Sequence, residues 1–220
     1  MENLADKSEY GFAVRLKNSA LAGIIGYMKQ LESFFWGAVA ALGALVVQLV
    51  ILLAAAAVQN PYGQALSVAY ATTAWGIVGA AFIEELFKYI IIVKRIEYLS
   101  LEKTFIVNSL FVGLGFFSVE LALLYLKQVD LAQHIQALGE IGIIHLATAG
   151  IIGYRIATQN PKKMYTFIST LLLVTAIHSA YNLLVNYRSP LAEPLIFALL
   201  GLLILATGFT FFRISAKLAG

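Results

Sequence analysis

Glu84, Glu85, Lys88, Glu120, His145, His178 and Asn182 all lie inside long apolar stretches of this chain. Carboxylates and imidazoles move protons, and amides and imidazoles hold developing negative charge. A glutamate beside a lysine in an apolar surround can take a proton from water. His178 and Asn182 are four apart, share a helix face, and can both donate hydrogen bonds to an oxyanion. That combination serves the addition of water to an amide. The same residues allow a second chemistry: two histidines and three glutamates, His145, His178, Glu84, Glu85 and Glu120, could hold Zn²⁺, whose bound water would be the nucleophile. No HExxH occurs in the chain, so the sequence does not establish a metal.

The placement of these groups is costly. A charged side chain near the middle of a membrane span costs roughly 2.5 to 3.5 kcal/mol on insertion scales. Three of them fall within Ala81 to Ile90. Glu84 and Lys88 have the i,i+4 spacing of an ion pair. Glu85 projects about 100° away, so its partners must come from other helices. A structural reading competes: a Glu84–Lys88 pair fixing helix register, and histidines that only bond neighbouring helices. Convergence of polar groups from four spans weighs against it, because each added ionisable group raises the insertion cost and adds no hydrophobic stabilisation. His134, alone in an outer loop, is expected to be solvated.

The elements that must position these residues follow from composition. The chain has 220 residues, of which 60% are hydrophobic and 12% charged, with mean hydropathy +0.84. This predicts an all-α polytopic membrane bundle with no separate soluble domain. Cysteine is absent, which excludes disulfide and thiolate chemistry. The net charge of +3 does not indicate nucleic acid, because the basic residues sit in loops beside apolar runs.

Residues 1–33 read as a cytoplasmic segment without a signal-peptide core. Leu21, Ile24, Ile25, Met28 and Leu31 form the apolar face of an amphipathic helix, read as lying on the membrane surface, with packing against the bundle as the alternative. Residues 34–213 hold six spans: about Phe34–Val58, Leu66–Val93, Thr104–Lys127, Ile141–Ala157, Met164–Tyr187 and Pro194–Phe212. Residues 214–220 form a cytoplasmic tail. The first span is uncharged, and its Gly37, Gly43 and Ala54–Ala57 offer a slim surface for helix contact, as do Gly76 and Gly79 in the second. Glu140 falls in a polar loop with Lys127, Asp130 and His134.

Lysines and arginines lie overwhelmingly on one side of this arrangement, with only Lys127 and Arg188 on the other. The positive-inside rule then puts both termini in the cytoplasm of a multi-pass protein of the cell membrane. At 1.5 Å per residue, Glu84 and His145 lie roughly 15 Å from the cytoplasmic edge, His178 roughly 20 Å and Glu120 roughly 25 Å. Four helices thus bring polar groups to overlapping depths, as a shared site requires.

Glu84-Glu85-x-x-Lys88, Gly113-x-Gly115-Phe116-x-x-x-Glu120, His145 with Thr148, and His178-x-x-x-Asn182 occupy successive spans. This series resembles the PrsW family of intramembrane proteases, grouped with CAAX prenyl proteases and bacteriocin-processing proteins. The lysine three residues after the glutamate pair, and a second motif ending in Glu, give it its PrsW-like form. Leu121 and the spacing of Thr148 from His145 depart from the usual pattern.

The resemblance implies a membrane-embedded peptidase acting on a membrane-anchored protein or peptide. Glu84 would be the base, Glu85 and Lys88 its organisers, Glu120 and His145 water or metal partners, and His178 with Asn182 the oxyanion donors. The rivals are a catalytically silent scaffold or immunity-type protein of the same fold, and an ion-coupled carrier.

Overall fold

The computed structural model describes residues 4–59, 73–96, 102–130, 132–187 and 189–219, with side chains over 23–57, 73–94, 105–130, 132–187 and 189–213. Among them are six α-helices and no strand: α1 (Leu4–Gln59), α2 (Ala74–Ile91), α3 (Glu102–Leu126), α4 (Ile135–Thr158), α5 (Met164–Asn186) and α6 (Ala192–Ala219). A π-helical turn, Ile92–Ile96, continues α2. Five stretches are long and apolar enough to cross a membrane: Gly23–Ala57, Phe105–Leu126, Ile135–Thr158, Met164–Asn186 and Ala192–Arg213. The protein is therefore the polytopic helical bundle that its composition predicts.

α2 stands apart from those five because its 18 residues include Glu84, Glu85 and Lys88. It starts where Thr73, extended at φ −71° and ψ 153°, accepts the Gly76 N–H on its hydroxyl. That cap satisfies one of the free amides of the first turn. The expected beginning of this span near Leu66, the turn at Asn60 to Gly63 and the side chains of the tail lie outside the described residues.

α1 is unbroken through residue 33, so the expected interfacial segment and the first span share one helix. The side chains of Arg15, Lys17 and Leu21 lie outside the described residues. α4 begins at Ile135, not near Ile141, which moves Glu140 from the expected loop into a helix. There Glu140 is buried, accepting hydrogen bonds from Gln136 Nε2 at 2.9 Å and the Tyr181 hydroxyl at 3.4 Å. Those two donors make its burial tolerable.

Helix packing sets the frame of the site. α1 lies against α3 and α2, α3 against α4, α2 against α5, and α4 against α5 and α6. The α1–α3 contact depends on missing side chains: a Cβ at Gly37 would collide with the Val112 carbonyl, and one at Gly115 with the Phe34 carbonyl. Without a hydrophobic driving force between helices in lipid, such close approach lets dispersion hold them together. Gly79 behaves differently from the expectation. Nothing lies within 4 Å of where its Cβ would be, because it borders an open cleft with Gly76, Gln48 and Ile83.

Outside the core, α1 exposes Leu42, Val46, Leu49 and Leu53, and α6 exposes Leu202, Leu205 and Phe209, as lipid-facing surfaces should. Trp75, Tyr125, Tyr165 and Tyr187 are exposed near helix ends, where amphipathic rings meet the headgroup region.

The α3–α4 connection is tightly built. Gln128 takes the left-handed conformation at φ 58°, its N–H reaching Tyr125 O and the Val129 N–H reaching Leu124 O. This pair of bonds is a Schellman closure of α3. Asp130 then accepts the Ala132 and Gln133 amides on Oδ1, and its carbonyl accepts His134 Nδ1 at 2.8 Å. His134 is exposed, as expected, but it belongs to this turn and is not alone.

Candidate active site

α2 divides its charged residues between two environments. Glu85 and Lys88 are completely buried toward α4 and α5, whereas the Glu84 side chain is 20% exposed and faces α1. The expected Glu84–Lys88 pair does not form. Lys88 instead bonds Glu85 Oε1 at 2.7 Å, one residue closer along the helix. The reason is the company on that face: Lys88 Nζ also reaches His145 Nδ1 at 2.8 Å and Thr148 Oγ1 at 3.1 Å. Three acceptors use all three ammonium protons. The cation also sits 4.7 Å from the centre of the Phe116 ring.

Glu85 draws partners from other helices, as expected, and also one from its own helix, Lys88, which was not expected. Its Oε1 accepts from Lys88, from Thr148 Oγ1 at 3.1 Å and from His178 Nδ1 at 2.7 Å. Its Oε2 is buried without a hydrogen-bond partner among the described residues.

These bonds assign the imidazole protons. A carboxylate only accepts, so His178 carries a proton on Nδ1, and in the neutral ring Nε2 keeps the lone pair. An ammonium only donates, so His145 accepts on Nδ1 and donates from Nε2 to Glu120 Oε2 at 2.5 Å. The two rings meet edge to face, with centroids 5.3 Å apart.

Gly113 brings the α4 backbone this close to α3, since a Cβ there would lie 2.5 Å from the His145 carbonyl oxygen. Glu84, Glu85, Lys88, Glu120, His145, Thr148 and His178 thereby form one connected cluster from α2, α3, α4 and α5. Asn182, half-buried one turn beyond His178, makes none of these bonds.

One side of the cluster opens on a cavity of about 240 Å³ between α1, α2 and α3, lined in part by Ala44, Gln48, Glu84, Phe116, Glu120 and Lys127. Glu84 Oε2 stands 3.7 Å from His178 Nε2, and Glu84 Oε1 accepts from Gln48 Nε2 at 3.2 Å. Gln48 is the residue that sequence reasoning missed. Its signal was present: it is the one amide in the otherwise apolar run Phe34–Val58.

The donor set suits a metal in part of this cluster. Glu84, His145 and His178 each offer one ligand atom, and these atoms lie within 4.8 Å of one another. One carboxylate and two imidazoles are the protein ligands of many catalytic zinc sites. His178 is already oriented by a carboxylate on its other nitrogen, the usual outer support of a metal-binding histidine. His145 would have to exchange one of its two present bonds for a metal. Glu120, a further candidate ligand from the sequence, is not in that close group and instead holds His145.

No curated protein and no solved structure matches the chain. The family model described as PrsW family intramembrane metalloprotease matches residues 30–210, a range that contains every helix contributing to the cluster. Buried glutamates and histidines drawn together inside an apolar bundle, within a match covering most of the sequence, thus lead to one conclusion: the chain belongs to the PrsW family of intramembrane metalloproteases.

Proposed function

We propose that this protein is an endopeptidase that hydrolyses a peptide bond of a membrane-anchored protein or peptide at the cavity bordered by Glu84 and Glu120. The observation that carries this reading is Glu84, partly exposed on the cavity wall, with its Oε2 3.7 Å from His178 Nε2. Glu84 and Glu120 border that cavity, where water and a carbonyl carbon can meet, and the buried His178 backs Glu84 from within the bundle. Glu84 accepts the proton of the attacking water and passes it to the leaving amine. In its neutral form His178 serves through its Nε2 lone pair, because Nδ1–H is committed to Glu85. Donation to the oxyanion then falls to Asn182, one turn further along α5.

Glu85 and Lys88 act as organisers. Lys88 neutralises Glu85 and fixes His145, and Glu85 fixes His178. Glu120 holds the Nε2–H of His145 and gives the cavity a second carboxylate. Glu84, His145 and His178 are the residues that would hold a metal. A bound Zn²⁺ supplies Lewis-acid polarisation of the carbonyl and a more acidic water. Both termini are assigned to the cytoplasm of the cell membrane, on the strength of the lysine and arginine distribution.

The test is cleavage of a reconstituted single-span substrate. Glu84→Gln and His178→Ala should each lower turnover by roughly 10²- to 10⁴-fold while melting in detergent stays near wild type. Loss of folding in both variants would favour a structural network. Substrate flux into liposomes with no cleavage product would favour a carrier. Metal content of the purified protein, with activity measured after strong chelation, separates metal-assisted from carboxylate-only activation of water.

A further inference from the structure

Gln48 lies on α1, outside the four polar-bearing spans, yet it touches the reacting carboxylate. Its Nε2 has two protons, and both are committed to a single turn of α2: one to the Ala80 carbonyl at 3.3 Å, the other to Glu84 Oε1 at 3.2 Å. Ala80 is four residues before Glu84, so its carbonyl already belongs to the helical bond that ends at the Glu84 amide. One side chain on α1 therefore grips both the backbone turn that carries Glu84 and the tip of its carboxylate.

The consequence is geometric. With Oε1 held toward α1, Oε2 is the oxygen left to face His178 Nε2 at 3.7 Å. A glutamate has three rotatable bonds, and nothing else described bonds either oxygen of Glu84 directly. Glu85, its neighbour, is instead locked by three donors. Gln48 also borders both the 240 Å³ cavity and the neighbouring α1–α2 cleft of about 210 Å³, so the amide works at an open boundary and not in sealed packing.

We propose that Gln48 is a positioning residue for the reaction: its amide fixes the orientation of the Glu84 carboxylate toward His178 and holds α1 in register with that turn of α2. This rests on the reading of Glu84 as the base. A single interhelical hydrogen bond in a membrane bundle contributes little to stability. Its loss should therefore show in turnover far more than in folding.

Gln48→Met, of similar length but without a donor, is compared with wild type in detergent and in liposomes. The expected result is a fall in kcat of roughly 10- to 100-fold, as for other residues that orient a reacting group, with KM and melting nearly unchanged. Unchanged kcat, or a rise in KM alone, overturns the proposal. Should Gln48→Met fail to fold, Gln48→Asn, which keeps the amide one methylene short of Glu84, reads the same split.

A second measurement needs no turnover. Infrared spectra of protein carrying ¹³C-labelled glutamate, minus those of the same label in Glu84→Gln, isolate the Glu84 carboxylate bands. A shift of those bands in Gln48→Met supports the hold on Glu84, and unshifted bands overturn it. A shift in a protein that cleaves nothing refutes the peptidase reading and leaves the orientation of Glu84 by Gln48 standing.

Discussion

The two glutamates at the centre of α2 are adjacent in sequence and opposite in circumstance. Glu85 is sealed inside the bundle, with Lys88, Thr148 and His178 all donating to one oxygen. Glu84 is partly exposed on a cavity, with a single donor from α1 and His178 Nε2 3.7 Å away. Burial cost accounts for the division. A carboxylate removed from water is tolerable only with dense compensation, and Glu85, fully buried and absent from the cavity wall, cannot meet a substrate even through its unpartnered Oε2. Under the proposed function, the sealed half of the cluster builds the site and the open half performs the chemistry in it.

The largest effect that could break this comparison is expected from the sealed half. Lys88→Met removes the cation from a buried carboxylate and should cost about 3 to 5 kcal/mol of stability, measured by denaturation in detergent. A variant as stable as wild type would show that Glu85 does not depend on its neighbour. Glu120→Gln probes the open half. The Glu120 side chain is 41% exposed and its amide replacement still accepts from His145, so melting should hardly change while kcat/KM falls about tenfold. A smaller effect, far from both, is expected at Gln128. Glycine there relieves the left-handed backbone and should raise stability by up to about 1 kcal/mol without altering turnover.

Much of the fold is legible in the chain because lipid leaves few options. Apolar runs of this length must be helices, and their count and order follow from reading them off. The boundaries are less legible. Glu140 reads as a loop residue because it is charged, yet Gln136 and Tyr181 carry it into α4. Likewise Gly79 reads as a contact point but borders a cleft, since a small residue permits close approach without compelling it.

At the site, the participants were visible as charges where charges are costly. Their pairing was not. Helix spacing favoured Glu84 as the partner of Lys88, but the pull of His145 and Thr148 from α4 turned the lysine to Glu85. Gln48 escaped notice because an uncharged amide costs less in lipid and raises no comparable alarm.

The sequence by itself determined that this is a helical membrane protein with glutamates, a lysine and histidines at overlapping depths, because insertion cost depends on residue type and position along a span. Only the tertiary structure decided which carboxylate is locked and which is open, which nitrogen of each histidine carries its proton, and that α1 contributes through Gln48. Those outcomes depend on how each helix is rotated and how near it comes to its neighbours. That is settled by glycines such as Gly37, Gly113 and Gly115 meeting particular partners across the bundle, which no single span encodes alone.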